Sequence, residues 1–125
     1  MSRFLWVCVA GAAGTGVRYL VWLFAGKLLG TTFPWGTLIV NVVGCFFMSI
    51  VAYAAAKSAI TPELRLTLAT GFLGGLTTYS SFNWDTMSLV QNGPASLGVM
   101  NLGATLVGCF VAGTAGLAVA RALVG

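Results

Sequence analysis

The chain has 125 residues, of which 58% are hydrophobic and only 6% charged. Soluble domains carry about a quarter charged residues, so a water-facing surface is excluded, and the mean hydropathy of +0.97 points to an integral membrane protein. The net charge of +4 is scattered singly over Arg3, Arg18, Lys27, Lys57, Arg65 and Arg121 against Glu63 and Asp85, with no basic patch for nucleic acid.

A membrane-spanning helix needs roughly 20 mostly apolar residues, and the sequence divides into four such segments within one domain, 1–125. The first runs from about Phe4 to Leu23, with Arg18 inside it. Its start, MSRFLWVCVAGAAG, also has the outline of a signal peptide, but apolar sequence continues past Gly14, which favours a helix. The second runs from about Gly36 to Ala56, after the turn GTTFPWG. The third starts near Glu63 or Leu64, after Pro62 at a first helical position, and reaches about Val90. The loop QNGP then leads to the fourth, from about Ser96 to Val124.

Four spans put both termini on one side, with Arg3, Lys57, Arg65 and Arg121, and leave Lys27 and Arg18 on the other. The positive-inside bias favours cytoplasmic termini by a margin small enough to permit both orientations. Trp22, Trp35 and Trp84 fall near one interface and Trp6 near the other, as aromatic belts or as core. Ala104, Gly108, Ala112, Gly116 and Ala120 recur every four residues, a close-approach face for another subunit or for packing within the chain. Gly26 and Gly30 form a lone GxxxG. Cys8, Cys45 and Cys109 all lie in apolar runs and read as small buried residues, not as a disulfide or metal set.

An unsatisfied polar group in hydrocarbon costs several kcal/mol. Thr37, Asn41, Cys45 and Ser49 repeat at i+4 in the second segment, as do Asn101, Thr105 and Cys109 in the fourth. Such stripes serve hydrogen bonding between helices or line a polar pathway. The pathway reading gains from the third segment, where Gly71, Gly74 and Gly75 and the hydroxyls of Thr70, Thr77, Thr78, Ser80 and Ser81 predict a break around Gly74 to Thr77. No carboxylate lies mid-span, as a proton or cation route would require, and Arg18 adds positive charge unless it snorkels to the interface. The lining suits an anion.

The whole chain resembles the Fluc, or CrcB, fluoride channel family. GAAGTGVRYL is similar to its first-helix pattern, PWGTLIVNVVG to its second, and ATGFLGGLTTYSSF to its specific third-helix signature. The resemblance implies an all-α membrane protein of four transmembrane helices with a broken third. Two copies would form an antiparallel, dual-topology dimer, from one chain or with a sister chain, in the lipid of a microbial inner membrane. Its two pores would export fluoride from the cytoplasm down its electrochemical gradient and relieve fluoride toxicity without any enzymatic step. It further implies pore positions at Asn41, Tyr79, Ser80, Ser81, Phe82 and Thr105, with Arg18 in the vestibule. A structural, untransported sodium ion would be held by the backbone carbonyls of Gly74 and Thr77 of each copy. Family members commonly carry Phe where this chain has Tyr79. Asp85 matches an often acidic position, to which no role is assigned. The alternatives are a proton-coupled exporter, which needs a carboxylate absent from the first segment, and a non-transporting assembly protein.

Overall fold

The computed structural model describes all residues, 1–125, and is wholly helical. Helix α1 (Ser2–Leu29) is followed by α2 (Trp35–Ala56), and the third span comes in pieces. These are α3 (Pro62–Arg65), a π-helical stretch (Leu66–Leu73), α4 (Gly74–Leu76) and α5 (Tyr79–Asn92). Helix α6 (Ala95–Val124) ends the chain. Three of these, α1, α2 and α6, are long and apolar enough to cross a membrane.

The ends follow local chemistry. Helix α1 runs six residues past the expected Leu23, to Leu29, and stops at Gly30, whose φ of 85° suits only glycine and whose N–H reaches Gly26 O. The GxxxG pair is therefore the end of a helix and not a packing face. Thr61 caps α3 by accepting the Leu64 N–H at 3.2 Å, with Pro62 in the first turn. Arg3 and Glu63 pair across the starts of α1 and α3, which puts those two helix starts at one end of the bundle.

Helices alternate in direction. The π-helical stretch and α4 run parallel to α1 and nearly touch it: a Cβ on Gly75 would collide with Gly11 O and stand 3.1 Å from Thr15 N. Helix α5 lies antiparallel to α6, with Thr86 opposite Asn101 and Val90 opposite Gly98. Helices α2 and α6 are parallel and closely seamed. Gly108 meets Val42, and Gly116 lies against the Phe46 backbone, with Phe46 Cα 3.2 Å from where its Cβ would stand. Ala120 in the same row is fully buried. The small-residue row of α6 thus packs against α2 of its own chain. A small apolar core of Val40, Leu73 and Leu76 lies between α2 and the π-helical and α4 pieces, beside the break.

Candidate functional site

The third span comes apart at Thr77 and Thr78. Both are extended, at φ −84°, ψ 156° and φ −154°, ψ 115°. Gly74, expected inside the break, is still helical. Thr77 N–H still returns to Leu73 O at 3.0 Å, and its hydroxyl donates to the same oxygen at 2.9 Å. In a continuous α-helix Thr78 N–H would go to Gly74 O, and Ser81 N–H to Thr77 O. Neither does. Thr78 N–H donates to Asn41 Oδ1 at 2.8 Å, and Ser81 N–H donates to Thr78 Oγ1 at 3.2 Å. The carbonyls of Gly74 and Thr77 lose their helical donors, and Gly74 lies on the exposed surface of the chain.

Asn41 stabilises this break. Its Nδ2 donates to Thr78 O at 3.0 Å while its Oδ1 takes the Thr78 N–H. One buried side-chain amide thus meets both backbone groups of one extended residue, as a neighbouring strand would. One turn along α2, Gly44 leaves the space that Thr77 Cγ2 fills. Amide and gap together seat the two extended residues against α2.

Thr78 is also a hub on its other side. As the N-cap of α5 its hydroxyl donates to Ser81 Oγ at 3.0 Å and lies 3.3 Å from Ser80 Oγ. The start of α5, with its unpaired N–H groups and positive dipole end, is therefore crowded with hydroxyls. Tyr79 is 78% exposed and Phe82 4%. Their rings meet edge to face, centroids 5.7 Å apart at 63°.

Ser80, Ser81 and Thr78 line a cleft of about 530 Å³ whose opposite wall carries Arg18. A second cleft of about 510 Å³, with Lys27 at its edge, shares Trp22, Trp84 and Asp85 with the first and leads to the α1–α2 turn. Asp85 is held by the Thr37 hydroxyl, which donates to Oδ2 at 2.7 Å. The cleft wall thus carries one cation, one tethered carboxylate, several hydroxyls and the rings of Tyr19, Trp22 and Trp84.

The i+4 stripes divide between two duties. Thr37 and Asn41 bond to the third span. Cys45 and Ser49 belong to the turns of α2 that face α6: a Cβ on Gly113 would stand 3.4 Å from Ser49 Oγ and 3.9 Å from Cys45 O. On α6, Asn101 donates to Thr86 Oγ1 at 2.9 Å and is fully buried. Thr105 is buried with a hydroxyl that has no partner within the chain. Neither it nor Asn41, Tyr79 or Phe82 lines the cleft.

The model of the CrcB-like protein, Camphor Resistance (CrcB), family matches residues 5–117. The chain belongs to the CrcB-like family. A protein of Anaeromyxobacter sp. described as "Fluoride-specific ion channel FluC" is 47% identical over the whole of both chains. One of the same description from Sorangium cellulosum is 43% identical over 99% of this chain and 98% of its own. Another, from Rhizobium etli, is 47% identical over 99% of this chain and all of its own.

In this CrcB-like chain the structure gathers most of the residues singled out from the sequence. Asn41, Gly74, Thr77, Tyr79, Ser80, Ser81 and Phe82 surround Thr78, with Arg18 across the cleft; the Thr105 hydroxyl bonds to none of them. Thr78 itself was missed as the organising residue. Its signal was present: a Thr three residues before Ser81, at the start of a new helix, is an N-cap pattern. The Thr37–Asp85 bond was missed because the two residues are 48 apart in the chain.

Proposed function

We propose that this protein is a fluoride-selective channel of the microbial inner membrane that exports fluoride down its electrochemical gradient and so limits its toxicity. The observation that carries the reading is the break at Thr77–Thr78, held open by Asn41. The full-length relatives described as fluoride-specific channels lend it the ion.

Fluoride is small and strongly hydrated, so a pathway must replace its water with donors. The start of α5 offers free N–H groups and the Ser80 and Ser81 hydroxyls, backed by a helix dipole. Asn41 retains one Nδ2 hydrogen beyond its bond to Thr78. Arg18 raises the local anion concentration. The positive edges of the Tyr79 and Phe82 rings meet an anion without binding it tightly, and conduction needs moderate binding at successive sites. Tyr79 adds a phenol O–H to that set.

A second copy belongs to this reading. The break lies level with Gly11 and Thr15 near the middle of α1 and with Asn41 and Gly44 of α2, well inside both helices. Gly74, Tyr79 and Ser80 are exposed there. Irregular backbone at such depth is tolerated only against protein or a wet cavity. An antiparallel partner, which the small difference in charge between the two ends permits, would cover it. The Gly74 and Thr77 carbonyls, stripped of helical donors, are neutral oxygens of the kind that hold sodium at unwound membrane helices. Two copies would supply four. A sodium ion there would contribute a fixed positive charge between two anion pathways.

The test is efflux from liposomes loaded with fluoride or chloride. Fluoride release with chloride retained is expected, whereas release of neither, or of both alike, refutes the channel. Replacing sodium by N-methylglucamine during preparation is expected to lower flux, and undiminished flux would remove the ion.

A further inference from the structure

The two clefts adjoin beneath the α1–α2 turn, and few charges line them. The deeper cleft carries Arg18 and Asp85, beside Ser80 and Ser81 at the start of α5. The outer one carries Lys27 and the same Asp85, with Thr31, Thr32 and Ser88. Trp22, Trp84 and Asp85 belong to both, so the two form one continuous hollow. None of the three charged groups is in a salt bridge; the ion pair of the chain joins Arg3 to Glu63.

Depth follows from helix rise. Thr15 of α1 stands beside Gly75, next to the break, its hydroxyl 3.5 Å from Gly75 O. Arg18 and Lys27 lie further along α1 by about 4.5 Å and about 18 Å. Half a hydrocarbon core is about 15 Å, so a break near its middle puts Lys27 at the membrane surface and Arg18 well beneath it. Lys27 is exposed at the rim, its ammonium 5.9 Å from the centre of the exposed Phe24 ring. The Thr37 hydroxyl holds one oxygen of Asp85 without neutralising its charge.

The balance of these charges decides the sign of the hollow. Arg18 and Asp85 offset each other, and Lys27 is the unmatched charge. We propose that Lys27 gathers small anions at the mouth of the hollow, by giving it the net positive charge that Arg18, offset by Asp85, does not supply. Walls of Trp22, Phe33, Trp35 and Trp84 are of low dielectric and focus such a field. Over the roughly 13 Å of helix between Lys27 and Arg18, one unit charge changes the local concentration of a monovalent anion about two- to tenfold. In the channel reading, on which only this consequence rests, Lys27→Gln raises the half-saturating fluoride concentration by that factor at low ionic strength and leaves maximal flux unchanged.

The experiment measures the field without relying on transport. Full-length Cys8→Ser, Ser88→Cys protein in detergent is labelled with anionic sulfonatoethyl methanethiosulfonate and with neutral methyl methanethiosulfonate, and Cys8→Ser protein gives the background. Thr32→Cys serves if the Ser88 variant misfolds. Adding Lys27→Gln is expected to lower the anionic-to-neutral rate ratio about two- to tenfold at 10 mM salt and to leave it unchanged at 1 M, where the screening length is about 3 Å. Lys27→Arg is expected to keep the ratio and Lys27→Glu to lower it further. Lys27→Gln with Asp85→Asn again leaves one unmatched cation and should restore the ratio, as a merely structural role for Lys27 would not. A ratio indifferent to Lys27→Gln at low salt, a change that persists at 1 M salt, or no recovery in the double variant overturns the proposal. A Lys27-dependent ratio in protein that passes no fluoride would refute the channel and leave the gathering of anions standing.

Discussion

Replacing Asn41 by Ala removes two buried hydrogen bonds at once, Thr78 N–H to Oδ1 at 2.8 Å and Nδ2–H to Thr78 O at 3.0 Å. In water-soluble proteins each group left unsatisfied costs about 1–3 kcal/mol. Within membranes the measured worth of such a bond is lower, averaging about 0.6 kcal/mol with a maximum of about 1.7, because the unfolded chain also finds partners. Two such bonds, between that average and that maximum, give a loss of about 1–3 kcal/mol in detergent unfolding titrations. The more telling effect is local. With Asn41 gone, the acceptor that a continuous helix would offer Thr78 N–H is Gly74 O. The break then has a downhill route to a continuous helix, and the Gly74 carbonyl loses its freedom. Hydrogen exchange at the Thr77–Ser81 amides reads this directly, with altered protection confined to that stretch, and fluoride flux falls in parallel. Unchanged stability together with unchanged exchange would refute the claim that Asn41 holds the break open.

Gly44→Ala puts a methyl group where Thr77 Cγ2 now lies, and is expected to destabilise by about 1–3 kcal/mol. Thr77→Ser removes that methyl but keeps the hydroxyl bonded to Leu73 O, so the double variant should recover most of the loss in the same unfolding titration. Gly116→Ala drives a methyl into the Phe46 backbone, whereas Gly103 opens on empty space; only the first is expected to lower thermal stability in detergent, and equal effects would contradict the seam. Phe82→Ile should reduce fluoride flux sharply with the oligomeric state by light scattering unchanged, and full flux would take the ring out of the pathway.

Much of this architecture was legible because lipid enforces a simple rule: long apolar runs become helices. The second and fourth spans fall within a residue of their expected starts, at Trp35 and Ala95. Helix α1 was harder, since Phe24 to Leu29 continues apolar around Lys27, and only the positive φ of Gly30 ends it. The break was readable as a region but not to the residue. Glycines marked Gly74, yet the chain leaves the helix at Thr77, because what decides is a distant acceptor, Asn41, and a distant gap, Gly44. The stripes were visible as periodicity. That Thr37 and Asn41 serve the third span while Cys45 and Ser49 serve α6 depends on which neighbour each turn of α2 meets, and one-dimensional spacing holds no such information.

The divided third span also bears on how the chain enters the bilayer. Helix α5 has 14 residues, about 21 Å of rise against a hydrocarbon core of about 30 Å, and it begins with hydroxyls. It has no means of partitioning into lipid alone. Its anchors are Thr37 and Asn41 on a helix made before it and Asn101 on a helix made after it. The three long helices are apolar enough to cross a membrane by themselves, whereas the divided third span depends on α2 and α6 to hold it there.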